Sequence, residues 1–189
     1  MEIIRRIYLV THAQKLEGDP SDWKPDPGMT EEGKKVVAGL RPLLEQELEG
    51  KPPAEIFAGT GRRQYEVAQA LGYTVEQVKF SAILGEAATA VDTGQPKKQV
   101  LLGHGLVIMW DQYLSIEHGK KPVREAILGM DDRTVICSGR PVHYRLGHPL
   151  EQYRGGALYR LTVNVMTEAI EIDLLFDSAR LPTDEGAKV

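Results

Sequence analysis

The residue types needed to move a phosphoryl group are present in this sequence at places where short apolar runs end. They are His12, Arg62, Arg63, Glu86 and His104. An imidazole can attack phosphorus, guanidinium groups bind phosphate oxygens, and a carboxyl group can protonate the leaving oxygen. The set therefore predicts phosphoryl transfer through a phosphohistidine, provided that the fold brings these side chains together.

Short apolar runs of the kind found in buried strands of mostly parallel sheets occur four times in the first part of the chain. They are residues 3–10, 55–58, 78–80 and 99–102. The first run leads to His12, the second to the arginine pair and the fourth to His104. Open α/β sheets bind ligands outside the carboxyl ends of their strands, so we expect these three groups to open onto one edge of the sheet.

The segments around these runs have the periodicity of helices. Thr30 can cap a helix that Pro42 must kink or end, and a second helix is predicted over residues 62–71. Later in the chain the pattern predicts a helix over 106–114, a helix over 123–130, a strand over 134–137 and a hairpin of 157–165 with 169–176.

The arginine pair lies in the first turn of its predicted helix, where cations oppose the positive end of the helix dipole. A phosphate bound by the free amides of that turn would make Arg62 and Arg63 well-placed ligands. The alternative is a surface pair in which the arginines reach carboxylates such as Glu66. The segment alone favours neither the phosphate site nor the surface ion pair.

Composition narrows the class of protein. The 189 residues predict a single domain over 1–189, and the net charge of −4 offers no footprint for nucleic acid. The longest apolar runs are too short for a membrane span, and the first residues lack the pattern of a secretory signal, so we expect a cytoplasmic protein.

One cysteine, Cys137, excludes an internal disulfide. Residues 140–149 contain two histidines, but no third ligand has metal spacing, so we expect no metal and no cofactor.

Five segments, in chain order, resemble motifs of the histidine phosphatase superfamily, also called the phosphoglycerate mutase-like family. Residues 8–14 resemble its strand followed by Arg-His-Gly, and residues 29–33 its Leu-Thr-Glu-x-Gly helix start. Residues 57–71 are similar to its Ser-Ser-Pro-x-x-Arg-Ala helix, residues 100–105 to its second histidine motif, and residues 156–176 to its closing strands. The resemblance implies a three-layer α/β fold, with a mostly parallel mixed sheet and helices on both faces.

The resemblance also implies roles for the candidate residues. His12 is the nucleophile, Glu86 the proton donor, and His104 with Arg63 binds the equatorial phosphate oxygens. Thr11 stands where the family has its signature arginine. A hydroxyl in place of a guanidinium should cost about 3 to 4 kcal/mol in the transition state, or roughly 100 to 1000-fold in rate.

Two alternatives follow from the threonine at position 11. If the rest of the site is intact, Thr11→Arg should raise turnover. If another cation already occupies that space, Arg62, Arg140 and Arg145 are the candidates. We therefore expect Thr11 and Arg62 at the phosphate-binding site beside Arg63.

The implied function is that of a metal-independent phosphatase acting on a phosphorylated small molecule or a phosphoprotein. The alternative is a catalytically weak or silent relative that binds a phosphorylated ligand or protein partner, which Thr11 favours. Only 12 residues separate Glu86 from Gln99, so the helical lid of the mutase branch does not fit there. We therefore expect an open site rather than a mutase.

Overall fold

The computed structural model describes residues 3–16, 26–85, 91–92, 99–113 and 123–178. Its main feature is a six-stranded sheet with strand order β3-β2-β7-β1-β8-β9. These strands are β1 (Ile4–Thr11), β2 (Ile56–Ala58), β3 (Val78–Phe80), β7 (Val135–Ser138), β8 (Ala157–Asn164) and β9 (Ala169–Asp177). β4 (Val91–Asp92), β5 (Gln99–Leu101) and β6 (Val107–Met109) form a second, smaller sheet.

Four neighbouring strands of the large sheet are parallel. β2 pairs in parallel with β3 and β7, and β7 pairs in parallel with β1. β8 then lies antiparallel to β1, and β9 antiparallel to β8, as the predicted closing hairpin requires. The carboxyl ends of β1, β2, β3 and β7 therefore share one edge of the sheet, which is the edge expected to hold ligands.

Helices cover both faces of this sheet. They are α1 (Glu31–Ala38), α2 (Arg41–Glu47), α3 (Arg62–Ala70), α4 (Val123–Leu128) and α5 (Arg140–Arg145). Short 3-10 turns occur at Val75–Gln77, Ala82–Leu84, Trp110–Gln112 and Leu150–Gln152. Thr30 caps α1 through its side chain, which accepts a hydrogen bond from the Gly33 amide at 2.9 Å. Pro42 lies in the first turn of α2, where a missing N–H costs little.

Alternating side chains of β1 divide the core into two layers. Tyr8 and Val10 pack with α1, α2 and α3, whereas Ile7 and Leu9 pack with α4 and α5. This period of two is what an inner strand with helices on both sides requires. The predicted three-layer fold with a mostly parallel mixed sheet is therefore confirmed.

One predicted strand is part of the small sheet rather than the large sheet. The run that precedes His104 forms β5, which pairs antiparallel with β4 and β6 rather than with the large sheet. The predicted helix after Gly105 is wrong, because residues 107–109 form strand β6 and only the turn Trp110–Gln112 is helical. The strand that lies between β1 and β2 is β7. Within the described ranges, every helix is too short or too polar to cross a bilayer.

Candidate functional site

His12 follows β1 at the shared carboxyl edge, and its backbone is fixed on both sides. Its amide donates to the Ser138 carbonyl at 3.1 Å, and its own carbonyl accepts from the Gly156 amide at 3.0 Å. β7 and the start of β8 thus hold the histidine in register. His12 is partly exposed at this edge. Because β1 ends at Thr11, His12 directly follows a strand, as the sequence predicts.

The imidazole of His12 lies directly over Gly139, the residue that follows β7. Its Nδ1 is 3.1 Å from the Ala13 carbonyl oxygen, a contact that favours the tautomer with the proton on Nδ1. In that tautomer Nε2 keeps its lone pair and has the electronic character of a nucleophile. A Cβ built on Gly139 would lie 2.7 Å from both Nε2 and Cδ2, so only glycine allows this ring position.

His12 lines a pocket of 560 Å³ at the end of β1 and β7. The part of its lining that the structure describes contains three basic side chains, and these are His12, Lys15 and Arg140. One acidic side chain, Glu32, also lines it. Arg140 comes from the first turn of α5, directly after β7, and its guanidinium carbon lies 5.7 Å from the centre of the Tyr153 ring. The pocket therefore combines a histidine with a guanidinium group supplied by the neighbouring parallel strand.

Tyr153 connects this pocket to the predicted ligand Arg63. Burial raises the pKa of the Tyr153 phenol to about 12, and the guanidinium groups of Arg140 and Arg63 act in the opposite direction. The phenol is thus neutral and able to donate a hydrogen bond at physiological pH. Arg63 thus acts electrostatically on a phenol whose ring centre lies 5.7 Å from the guanidinium carbon of Arg140. The sequence offered no signal for Tyr153, which lies in the segment that resembles no family motif.

Thr11 is not positioned as a phosphate ligand. Its side chain is fully buried, and its hydroxyl donates to the Arg154 carbonyl at 2.8 Å and accepts from the Ala157 amide at 3.0 Å. The hydroxyl therefore joins the ends of β1 and β8 instead of facing the pocket. These contacts do not support Thr11 as a phosphate ligand, and the side chain of Thr11→Arg would start from a fully buried position.

Arg62 also has other partners. Its guanidinium Nε lies 3.0 Å from Oε1 of Glu66, which is 7% exposed, and this is the surface-pair alternative raised by the sequence. Its backbone amide donates to both carboxylate oxygens of Asp26 at 3.0 Å. A carboxylate of the chain itself thus occupies the first turn of α3. These contacts do not support Arg62 as a phosphate ligand.

His104 lies in the turn between β5 and β6, and it is absent from the described lining of the His12 pocket. Its ring stacks on Tyr65 of α3, with 6.4 Å between ring centres and 12° between ring planes. Burial lowers the pKa of His104, and the nearby Asp26 carboxylate acts in the opposite direction. The strand that precedes His104 lies outside the large sheet, which differs from the prediction, and the described pocket lining does not bring His104 together with His12.

Glu86 lies outside the described residues, but the chain just before it is firmly held. Arg145 donates to the carbonyls of Ile83 and Gly85, and the Ser138 hydroxyl donates to the carbonyl of Leu84. Arg145 is thus used to anchor this loop to α5. Of the three cations considered as substitutes for the signature arginine, Arg140 is the one that lines the His12 pocket.

No protein-family model and no curated protein matches this sequence. Solved structures do match it. The protein histidine phosphatase SixA complexed with tungstate has a TM-score of 0.57 at 12% sequence identity, over 94% of this chain and 99% of that chain. Mycobacterial hydrolase 2 has a TM-score of 0.54 at 14% identity, over 97% and 95%.

A third similar structure is the phosphoglycerate mutase from Plasmodium falciparum. It has a TM-score of 0.52 at 18% identity and covers 98% of both chains. These likenesses extend over nearly the whole length of each protein, and they agree with the motif order in the sequence. The chain therefore has the phosphoglycerate mutase-like fold, which is the fold that the sequence resemblance implies.

Proposed function

We propose that this protein binds a phosphate ester between His12 and Arg140 and acts as a weak phosphatase of the histidine phosphatase type. The observation that carries the proposal is that these two side chains, delivered by neighbouring parallel strands, line one pocket. Lys15 adds a second full positive charge to that lining, and among the described lining residues Glu32 supplies the one carboxylate. An anion is the ligand that this balance of charges favours.

The proposed chemistry begins with attack of the Nε2 lone pair of His12 on phosphorus. The new N–P bond forms as the P–O bond to the leaving group breaks, and Arg140 neutralises charge on the equatorial oxygens. Glu86, in the role implied by the family resemblance, gives its proton to the leaving oxygen. Water then attacks phosphorus as the Glu86 carboxylate takes its proton, and the N–P bond breaks, which returns the lone pair to Nε2 and releases inorganic phosphate.

The open pocket fits the phosphate of either a small ester or a phosphoprotein. Its 560 Å³ exceed the size of a phosphate group, so part of the ligand beyond the phosphate also fits. Arg63 is a further proposed phosphate ligand, since its charge acts on the Tyr153 phenol, which lines the pocket.

A second candidate function is binding of a phosphorylated ligand without turnover. Two observations favour it. Thr11 supplies no guanidinium, and its hydroxyl is bonded to β8. Gly139 supplies no side chain at the strand end next to His12. The site thus holds fewer charged donors for the transition state than the family motif implies, which lowers the expected rate more than the expected affinity.

Calorimetric titration with phenyl phosphate, together with an assay of phosphate release, separates these functions. We expect Arg140→Gln to weaken binding roughly 10-fold or more, the equivalent of one hydrogen bond to a charged group. Arg154→Gln is the matched control, because that exposed guanidinium donates to the carbonyls of Glu151 and Tyr153. It should leave the affinity unchanged.

Turnover then decides between the two candidates. Slow phosphate release that His12→Asn abolishes supports the phosphatase. Binding with no release above that of His12→Asn supports the silent binder. If phenyl phosphate does not bind, or if Arg140→Gln binds it as tightly as the unaltered protein does, both candidates are wrong.

A further inference from the structure

A separate cavity of about 250 Å³ lies beneath β2 and β3. Its wall includes Phe57, Ile83 and Leu84, and α4 contributes Ala126 to the opposite wall. These residues belong to the core layer that packs against α4 and α5, whereas α3 packs in the other layer. The cavity is therefore distinct from the His12 pocket, and none of the residues that line one lines the other within the described chain.

The walls of this cavity combine an apolar surface with a few polar groups. Lys79 and Glu55 form an ion pair with each other, and the Lys79 ammonium lies 5.8 Å from the centre of the Phe57 ring. Glu125 adds a second carboxylate, so the described lining holds two acidic side chains and one basic side chain. Because Lys79 already has an acidic partner, Glu125 gives the cavity a net negative charge.

Ser81 contributes a further polar group behind the wall of this cavity. It lines the cavity and is fully buried, yet its hydroxyl has no hydrogen-bond partner in the structure. A buried hydroxyl without a partner is unfavourable, and polar groups of this kind normally find one. The hydroxyl has no accessible surface, so a ligand forms a hydrogen bond with it only where the wall beside Ser81 moves.

We propose that this cavity is a binding site for a small amine with a compact apolar body, such as an arylalkylamine. The ring would contact Phe57 and Ile83, and the ammonium group would lie toward Glu125. The volume accepts a ligand of fragment size, below that of a typical drug pocket. The site is independent of the phosphate ester proposed for the His12 pocket.

Benzylamine, benzyl alcohol and benzoate are matched probes, because they share a ring and differ in charge. We expect benzylamine to bind best, with chemical-shift changes at Met130 and Ala126, and benzoate to bind at least about 10-fold more weakly. The Glu125 carboxylate should raise the affinity of the cationic benzylamine a few-fold and lower that of the anionic benzoate a few-fold, and the two effects multiply. Equal affinity for benzylamine and benzoate would overturn the proposal.

Two variants test the position of the site. Glu125→Gln changes an exposed side chain, so it should fold normally and reduce the preference for benzylamine over benzyl alcohol to about one. Ala126→Phe should fill the cavity and abolish benzylamine binding, while phenyl phosphate still binds at His12. Unchanged benzylamine binding in either variant would contradict the assignment, whatever the outcome for phosphate.

Discussion

The imidazole of His12 rests on the backbone of Gly139, so closely that a Cβ at position 139 would lie 2.7 Å from its Nε2. The two residues end neighbouring parallel strands, β1 and β7. The contact explains why the second strand end carries no side chain. It also means that the orientation of the candidate nucleophile depends on a glycine that comes 127 positions later in the chain, since 139 − 12 = 127.

Gly139→Ala should therefore displace the His12 ring. The backbone at Gly139 is extended, so alanine is tolerated there and the methyl group acts through its contact with the imidazole. We expect phenyl phosphate binding to weaken roughly 10-fold. Gly129→Ala is the control, because its Cβ would meet its nearest neighbours at 3.5 and 3.6 Å, which is ordinary contact. Unchanged affinity in Gly139→Ala would show that the ring position is unimportant.

Thr11→Val should reduce stability and leave phosphate affinity unchanged. Valine has nearly the same shape, but it leaves the buried Ala157 amide without the hydroxyl that accepts its hydrogen bond. The expected loss is about 1 to 3 kcal/mol in the free energy of unfolding, measured by urea denaturation. Thr11→Ser keeps the hydroxyl and should lose less. A large drop in phosphate affinity with stability unchanged would instead assign Thr11 to the site.

Arg62→Gln should also affect stability rather than binding. Its guanidinium pairs with the buried Glu66 carboxylate, which also accepts from the Met29 amide at 2.5 Å. Because the arginine is half exposed, we expect a loss of only about 1 kcal/mol. Titration with phenyl phosphate should give the affinity of the unaltered protein. A loss of affinity as large as that of Arg140→Gln would mean that the ligand lies at α3.

Acid should destabilise the protein through His143, which is 1% exposed and surrounded by the rings of His148, Tyr153 and Tyr159. Burial, with a smaller contribution from His148, lowers the pKa of His143 from 6.5 to about 4. Below pH 6.5 the unfolded chain binds a proton that the folded chain does not. Stability should thus fall by about 3 kcal/mol as the pH drops from about 6.5 to about 4 and then level off.

His143→Phe tests this dependence, since phenylalanine keeps a ring and cannot be protonated. Urea denaturation across that pH range should show a shallower fall for the variant than for the unaltered protein. Parallel curves for the two proteins would mean that other groups cause the acid sensitivity.

Much of the fold follows from local patterns. The apolar runs that became β1, β2 and β3 are bounded by turn residues, and the hairpin of β8 and β9 needs only a short connection. The Thr30 cap and the helix break near Pro42 are likewise set by neighbouring residues. Each of these features depends on residues close together in the sequence, where side-chain pattern and structure are directly linked.

The order of strands could not be predicted in the same way. The runs of β5 and β7 are both short and apolar, and nothing local decides which one pairs with β1. The pairing joins Thr11 to Ser138, far apart in the chain. The sequence predicts that the run before His104 ends at the same sheet edge as β1, whereas the structure brings Gly139 and Arg140 beside His12.

The position of Arg140 had a weak signal, because residues 134–137 were expected to form a strand and the arginine follows it closely. Tyr153 had none. Its place in the site depends on its burial and on the electrostatic effect of two guanidinium groups, and the sequence reveals neither. Arg140 and Tyr153 come from a segment far from His12 in the sequence, so the tertiary structure was needed to identify them as site residues.

A crystal structure of the protein soaked with tungstate tests the central claim most directly, since tungstate is a tetrahedral oxyanion like phosphate and the tungsten atom is easily located. We expect the anion in the His12 pocket, with its oxygens within hydrogen-bond distance of the His12 imidazole and the Arg140 guanidinium. Tungstate bound instead at the first turn of α3 beside Arg62, with the His12 pocket unoccupied in the same crystals, would contradict the assignment.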